Sequence, residues 1–285
     1  MTPAEVDAGR LVVCPTPIGN LQDVTLRVLS ALAEADEVAC EDTRHTRVLL
    51  ERHELTTKLV SLHEHNERAR ASELVGRMRA GSVVALVSDA GTPLVSDPGF
   101  ALVRECLLEG VPVEVLPGPS AVTTALVASG LPADRWLFVG FLPRKRSELE
   151  RLLAHAGETL VAFESPRRLA GTLRSLAGLD ADRPAAVCRE LTKLHEEVRR
   201  GGASELADHY EANAARGEIV LVIGAAPAGA ASRDVALGAL RELQAAGARA
   251  RPAASVVARL TGVGANELYR ALTSEAQRSE GAAGQ

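Results

Sequence analysis

Short apolar runs alternating with longer amphipathic segments constrain this chain more than any other feature. The runs at 11–14, 37–40, 59–62, 83–88 and 113–116 are too short for buried helices and read as strands. Between them, 26–35, 46–53, 67–79 and 99–108 have helical character; Asn66 and Asp97-Pro98 supply two of the starts, proline being tolerated in a first turn. Such alternation predicts a mainly parallel sheet with helices packed on it. A helix over 121–128 precedes the stretch SGLPAD (129–134), which reads as a linker. A second set follows, with strands at 136–139, 159–163, 185–188 and 219–223 and helices near 147–156, 168–176 and 205–215.

The composition changes after Gly224. Residues 225–232 (AAPAGAAS) form a flexible connector, and 234–244, 253–260 and 265–272 read as three short helices. The turn Gly262-Val263-Gly264 gives this appendage a helix-turn-helix character, and 279–285 look frayed. The expected organisation is therefore two α/β domains, 10–128 and 135–224, followed by a helical appendage at 232–278.

Aromatic residues are only 2% of the 285, so the cores must be built from Val, Leu and Ala. No apolar run approaches the ~20 residues needed to cross a bilayer, and residues 1–10, with Glu5 and Asp7, lack the apolar segment of a secretory signal. Cys14, Cys40, Cys106 and Cys188 are widely spaced and are expected as buried free thiols, consistent with a cytoplasmic protein. A net charge of −5 argues against a free-standing basic nucleic-acid binder. The charge is unevenly spread, however: residues 141–200 hold 12 Lys and Arg against 9 Asp and Glu. Arg144, Lys145, Arg146, Arg167, Arg168, Arg199 and Arg200 form either a local cationic surface or solvated helix faces.

In an open parallel sheet, ligands bind outside the carboxyl ends of the strands. Those ends carry PTPIGN (15–20), EDTR (41–44), HEHNE (63–67), SDAGTP (88–93) and PGPSA (117–121), all rich in Gly, Pro and small polar residues. There is no GxxxxGK[ST], and no GxGxxG follows the first strand, so phosphate-cradling and ordinary dinucleotide chemistry lose weight. A cofactor presenting amino, carboxylate and ribose groups fits better. His63-Glu64-His65 invites a metal, but no further His or Cys cluster completes a tetrahedral set. Glu196-Glu197, beside Lys193 and His195, reads as a solvated loop rather than an acid/base pair.

The ordered motifs CPTPIGNLQDVTLR (14–27), EDTRHTRVLL (41–50), HEHNE (63–67), VSDAGTPLVSDPG (87–99), LPGPSAVTTAL (116–126), FVGFLPRK (138–145), FESPRRL (163–169), CRELTKLHEE (188–197) and GEIVLVI (217–223) carry a resemblance from about residue 10 to 224, continued by NELYRAL (266–272). The chain resembles the tetrapyrrole-methylase-like superfamily and, within it, the branch that methylates the ribose 2′-hydroxyl of a cytidine in the decoding region of 16S ribosomal RNA. One departure is Arg168, where FESPHR is expected.

The resemblance implies two α/β domains with S-adenosylmethionine in the cleft between them, and a homodimer. Carried over residue by residue, it places the cofactor against Ser88, Asp89, Ala90 and Gly91, then Val95, Ser96 and Asp97, then Ser120 and Ala121. From the second domain Phe163, Glu190, Leu191 and Thr192 are expected to close over it, while Pro17 and Gly19 also face the acceptor. A ribose hydroxyl is almost wholly protonated at neutral pH, so positioning supplies much of the rate and a general base adds ~10²–10⁴-fold. Glu64, Asp42 and His63, on one rim, are the candidate bases; Arg44, Arg144, Lys145, Arg167 and Arg189 are candidates for holding RNA phosphates. The acidic total suggests structured RNA within the small ribosomal subunit, bound by shape and local contacts. Two rivals stand beside this reading: methylation of a tetrapyrrole carbon, and a cofactor-binding assembly factor without catalysis.

Overall fold

The computed structural model describes residues 9–226, 230–261 and 263–282; part of the expected connector (227–229) and the turn residue Gly262 lie outside them. The first sheet contains β1 (Arg10–Val13), β2 (Glu37–Cys40), β3 (Lys58–Ser61), β4 (Val83–Leu86) and β5 (Val113–Val115). Its order is β3-β2-β4-β1-β5, and every pairing is parallel. Helices α1 (Leu26–Glu34) and α2 (Thr43–Arg52) cover one face; α3 (Glu67–Arg79) and α4 (Phe100–Leu108) cover the other. The period of two, with helices on both faces, explains why the central strands β1, β2 and β4 are mostly apolar at successive positions. Leu11 and Val13 pack with Leu74, Met78 and Leu102, whereas Val12 and Cys14 pack with Val28, Leu32 and Leu49. Because β1 and β4 are neighbours whose following helices go to opposite faces, a crevice opens at their carboxyl ends.

Helix α5 (Ala121–Ser129) follows β5 yet packs on the second sheet, and it thereby joins the two halves. That sheet contains β6 (Trp136–Phe141), β7 (Thr159–Glu164), β8 (Pro184–Arg189), β9 (Glu197–Gly202) and β10 (Ile219–Ile223), in the order β6-β7-β10-β8-β9. Only β6 and β7 are parallel; the other three pairings are antiparallel. Val122, Ala125 and Leu126 of α5 meet Val161, Ala186, Val220 and Val222 on one face of this sheet. Helices α6 (Arg146–His155), α7 (Leu169–Leu179) and α8 (Ala203–Ala212) cover the other.

Strand β9 corrects the sequence reading, which left Glu197 in a loop. Its sequence, EVRRGG, has no apolar alternation because an edge strand needs only its backbone pairing with β8. Polar side chains do the anchoring. Glu197 accepts from Arg189 at 2.9 and 3.1 Å, and Arg200 donates to the carbonyls of Ala128 and Ser129 at the end of α5.

Arg183 is 2% exposed and makes no ion pair within 4 Å among the described residues, Asp180 acting on it only from farther off. It donates instead to the carbonyls of Leu153 (2.5 Å), Ala156 (3.5 Å) and Gly224 (2.8 Å), capping the end of α6 and tying it to the end of β10. The appendage is a bundle of α9 (Ala230–Ala245), α10 (Ala250–Thr261) and α11 (Ala265–Ala282) around Leu240, Ala254, Val257 and Leu268. These helices outrun the sequence reading, and 279–282, expected to be frayed, continue α11, since polar turns extend a helix without adding to its apolar stripe; 283–285 lie outside the described residues. All four cysteines are buried and unpaired.

Candidate functional site

The strand-end loops of the first sheet are bonded into one platform. Thr16 and Gly91 exchange backbone hydrogen bonds of 2.8 and 3.0 Å, which ties the β1 loop to the β4 loop. The Thr16 hydroxyl donates to the Ser88 carbonyl at 3.0 Å, and the Thr92 hydroxyl donates to the Pro119 carbonyl at 3.1 Å. Asp89 accepts the Asp42 amide at 3.1 Å and so fixes the loop after β2. Farther along, Glu67 accepts the amides of Gly99 and Ala101 (2.9 and 2.7 Å), capping α4 from another segment because Gly99 has no side chain to do so. The last residue of HEHNE thus holds the β4 loop in place.

That loop also carries backbone strain. Leu94 (φ 72°) and Ser96 (φ 68°) lie in the left-handed region, as do Glu190 (φ 50°) and Thr192 (φ 65°) in the loop after β8. Of these only Ser96 lines the cleft between the sheets; among the described residues, four of the five non-glycine positions with positive φ fall in the two loops that flank it.

The cleft, of about 430 Å³, lies between the platform and the second sheet. Of the residues expected at the cofactor, Asp89, Ala90, Gly91, Val95, Ser96, Asp97, Ser120, Ala121, Phe163 and Leu191 line it. Ser88, Glu190 and Thr192 do not. The Ser88 hydroxyl turns back to the Gly91 carbonyl at 3.2 Å. Glu190 accepts from the Glu218 amide (2.9 Å) and from Lys193 (3.0 Å), while Thr192 accepts from the Asn20 amide at 3.0 Å. These residues brace the walls.

Five acidic residues line the cleft, Glu41, Asp89, Asp97, Glu164 and Glu218, and the first three lie close enough to act on one another. Burial pushes the Asp97 carboxyl up to about 6, and the nearby Glu41 and Asp89 push it the same way. Burial, then Asp89, raises Glu41 as well. Like charges held together in a half-dry cleft favour either a proton or a bound cation. Sequence reading named Asp42 as a candidate base and gave Glu41 no role, yet Glu41 lines the cleft and Asp42 does not. Hydrogen bonds from the Arg44 side chain and amide hold its carboxyl at about 2, which makes it a poor proton acceptor.

Phe141 was also missed. A bulge in β6 at Gly140 (φ 65°) shifts the register between Phe138 and Phe141 and aims Phe141 into the cleft. Its ring lies 5.4 Å from that of Phe163, which in turn stands edge-on to Phe138 at 5.2 Å. Three of the chain's four phenylalanines thus gather at one edge, and the phenylalanine spacing in FVGF was the available signal.

The remaining candidates are scattered. Glu64 opens on a separate hollow with His65, Arg68 and Phe100. His63 lies close enough to Glu41 to lower its pKa, and the His63 Nδ1 is buried without a hydrogen-bond partner among the described residues. Arg189 is engaged with Glu197, Arg44 with Asp42 and Lys145 with Glu148. Arg144 and Arg167 are exposed and make no ion pair among the described residues. Arg168, at the position that departs from the motif, donates to the carbonyls of Leu142 (3.1 Å) and Pro143 (2.7 Å) and lies 3.3 Å from the buried Glu164.

The carboxylate cluster makes cation binding depend on pH. A group with a raised pKa keeps its proton up to about 6, and a cation competes with that proton. Affinity for a cationic ligand is therefore expected to climb by up to about tenfold per pH unit below 6 and to level off above it. Asp97→Asn is expected to flatten the profile, and calorimetry from pH 5 to 8 would check both.

Comparison with known proteins places this geometry. The family model for tetrapyrrole (corrin/porphyrin) methylases matches residues 10–207. A Mesorhizobium japonicum protein named ribosomal RNA small subunit methyltransferase I is 48% identical over 268 residues, covering 92% of this chain and 90% of that protein. One of the same name from Mycobacterium bovis is 46% identical over 286 residues, covering 98% and 99%. Among solved structures, diphthine synthase superposes with a TM-score of 0.60 at 20% identity, covering 75% of this chain and 89% of that protein. Uroporphyrin-III C-methyltransferase of Thermus thermophilus, solved with S-adenosylhomocysteine, gives 0.54 at 23% identity, covering 76% and 97%. With its paired sheets, its linked strand-end loops and these relatives, the chain belongs to the tetrapyrrole methylase family.

Proposed function

We propose that this protein transfers a methyl group from S-adenosylmethionine to the ribose 2′-hydroxyl of a cytidine in 16S ribosomal RNA. The supporting observation is the carboxylate-lined cleft, which suits a small cation with an aromatic end. Glu41, Asp89 and Asp97 would face the cationic groups of the donor, and the amino end of α5 at Ser120 and Ala121 would face its carboxylate. Phe141 and Phe163, with Val95, Leu191 and Val220, offer an apolar face for the adenine. When bound, the donor supplies an activated methyl on a positively charged sulfur.

The protein's own part is positioning and desolvation. Transfer forms a carbon–oxygen bond to the ribose and breaks the carbon–sulfur bond, whose electron pair stays on sulfur; the hydroxyl proton passes to a carboxylate or to water. Glu41 and Asp97, with raised pKa values, suit that proton better than Asp42. Arg144 and Arg167, exposed and without ion pairs among the described residues, are the candidate cations left free to meet RNA phosphates. The same reading includes RNA presented within the small subunit, a cytoplasmic homodimer, and domain limits at 10–128, 135–224 and 232–278.

Ribose methylation mapped across 16S RNA in a deletion strain and a complemented one tests the reading. One ribose methyl lost on deletion and regained on complementation is the expected result; identical maps would refute it.

A further inference from the structure

Charge is divided unevenly between the parts of this chain. Residues 230–285 hold seven Arg against five Asp and Glu, whereas the rest holds 25 Lys and Arg against 32 Asp and Glu. On average, then, a polyanion is repelled by the two α/β domains and attracted by the helical appendage. Helix α10 is the extreme case, since it carries Arg251 and Arg259 and no acidic residue.

Packing decides where those arginines stand. Ala253, Ala254 and Val257 bury one face of α10 in the core of the bundle. Arg251, Ser255 and Arg259, at four-residue spacing, therefore form an exposed row on the outer side, about 12 Å long. The Arg251 guanidinium lies 5.6 Å from the centre of the Tyr269 ring, at the seam with α11. Arg270, the next residue of α11, and Arg249, just before α10, are exposed as well. None of these four arginines makes an ion pair among the described residues. By contrast, Arg27, Arg79, Arg146 and Arg174 of the α/β domains each hold a carboxylate. Unpaired like charges gathered on one small bundle, with an aromatic ring among them, match the footprint of a phosphate backbone.

We infer that the outer row of α10, Arg251 and Arg259, together with Arg270, docks on the phosphate backbone of the RNA substrate. This rests on the methyl-transfer reading above. The appendage then holds the RNA while the cleft does the chemistry. Docking of this kind supplies affinity and orientation without reading sequence, because every nucleotide offers the same phosphate. It also offsets the repulsion between RNA and an acidic body. Arginine suits the task, since its planar fork engages two phosphate oxygens at once.

The test uses the full chain with Arg251→Ala, Arg259→Ala and Arg270→Ala combined, beside a second variant with lysine at the same three positions. Binding to purified small subunits, without donor, is measured by filter retention from about 50 to 200 mM salt. The alanine variant is expected to bind about tenfold more weakly and to lose about 2–3 from the slope of log Kd against log salt, each phosphate contact being worth about 0.7–0.9. The lysine variant keeps the slope, because its charges remain. Both should melt within about 2 °C of wild type and keep the S-adenosylmethionine Kd within about twofold. In turnover, KM should rise with Kd while kcat stays unchanged. An alanine variant with wild-type affinity and slope overturns the proposal. Weaker binding with an unchanged slope assigns this face to a protein partner and also overturns it. If the triple variant melts lower, Arg259→Ala alone must still reduce the slope by about 0.7–0.9, and an unchanged slope there overturns the proposal too. Wild-type protein that binds small subunits in a salt-dependent way but methylates none of their RNA refutes the methyl-transfer reading and leaves the docking face standing.

Discussion

Replacing Asp89 by alanine is expected to weaken S-adenosylmethionine binding about a hundredfold. A hydrogen bond to a charged group contributes about 1.5–3 kcal/mol, and each 1.4 kcal/mol is tenfold in affinity. Asp89 has two roles that the substitution removes together. It faces the cleft beside Glu41 and Asp97, and it accepts the Asp42 amide, which sets the β2 loop. Asp89→Asn separates them, because its amide oxygen still accepts that bond while the charge is gone. We expect Asp89→Asn to melt with wild type and still lose most of the affinity, measured by calorimetry. Donor binding undisturbed in both variants would remove Asp89 from the site and, with it, the case for a cation between these carboxylates.

Arg183→Met is expected to destabilise the protein by about 3–5 kcal/mol. Methionine fills much of the same space but donates nothing, so the Leu153 and Gly224 carbonyls lose their partner in a dry interior. Each buried acceptor left unpaired costs about 1–3 kcal/mol. The Ala156 carbonyl is better protected, since the Ala226 amide also donates to it at 2.7 Å. Against a total stability of about 5–15 kcal/mol this loss is large. It would appear as a fall in denaturation midpoint with a nearly unchanged slope. A loss under 1 kcal/mol would mean that water or a shifted backbone replaces the guanidinium.

Much of this could be read from the sequence. The strands of the first sheet were legible because short apolar runs such as LVV, EVAC and VVAL recur between helical segments, and Glu67–Arg79 was legible from Asn66 at its start. Strand β9 was not, because an edge strand held by arginines shows no apolar period. Nor was the remote cap from Glu67 to α4, which joins residues more than thirty positions apart. Among candidate site residues, Asp89 and Asp97 lay in a motif rich enough to stand out. Glu41 could not be told from Asp42, nor Ser88 from its neighbours, because the difference is only where each side chain points.

The sequence by itself determined the alternating α/β architecture, the strand ends where ligands gather, and the family. Those follow from local periodicity, turn chemistry and motif order, which are written along one segment at a time. Only the tertiary structure decided which of two adjacent carboxylates faces the cleft and which is held by Arg44. It also decided that the β4 loop has a cavity on each side. The physical reason is that pKa, burial and cavity shape are sums over neighbours distant in sequence, and no single segment contains those neighbours.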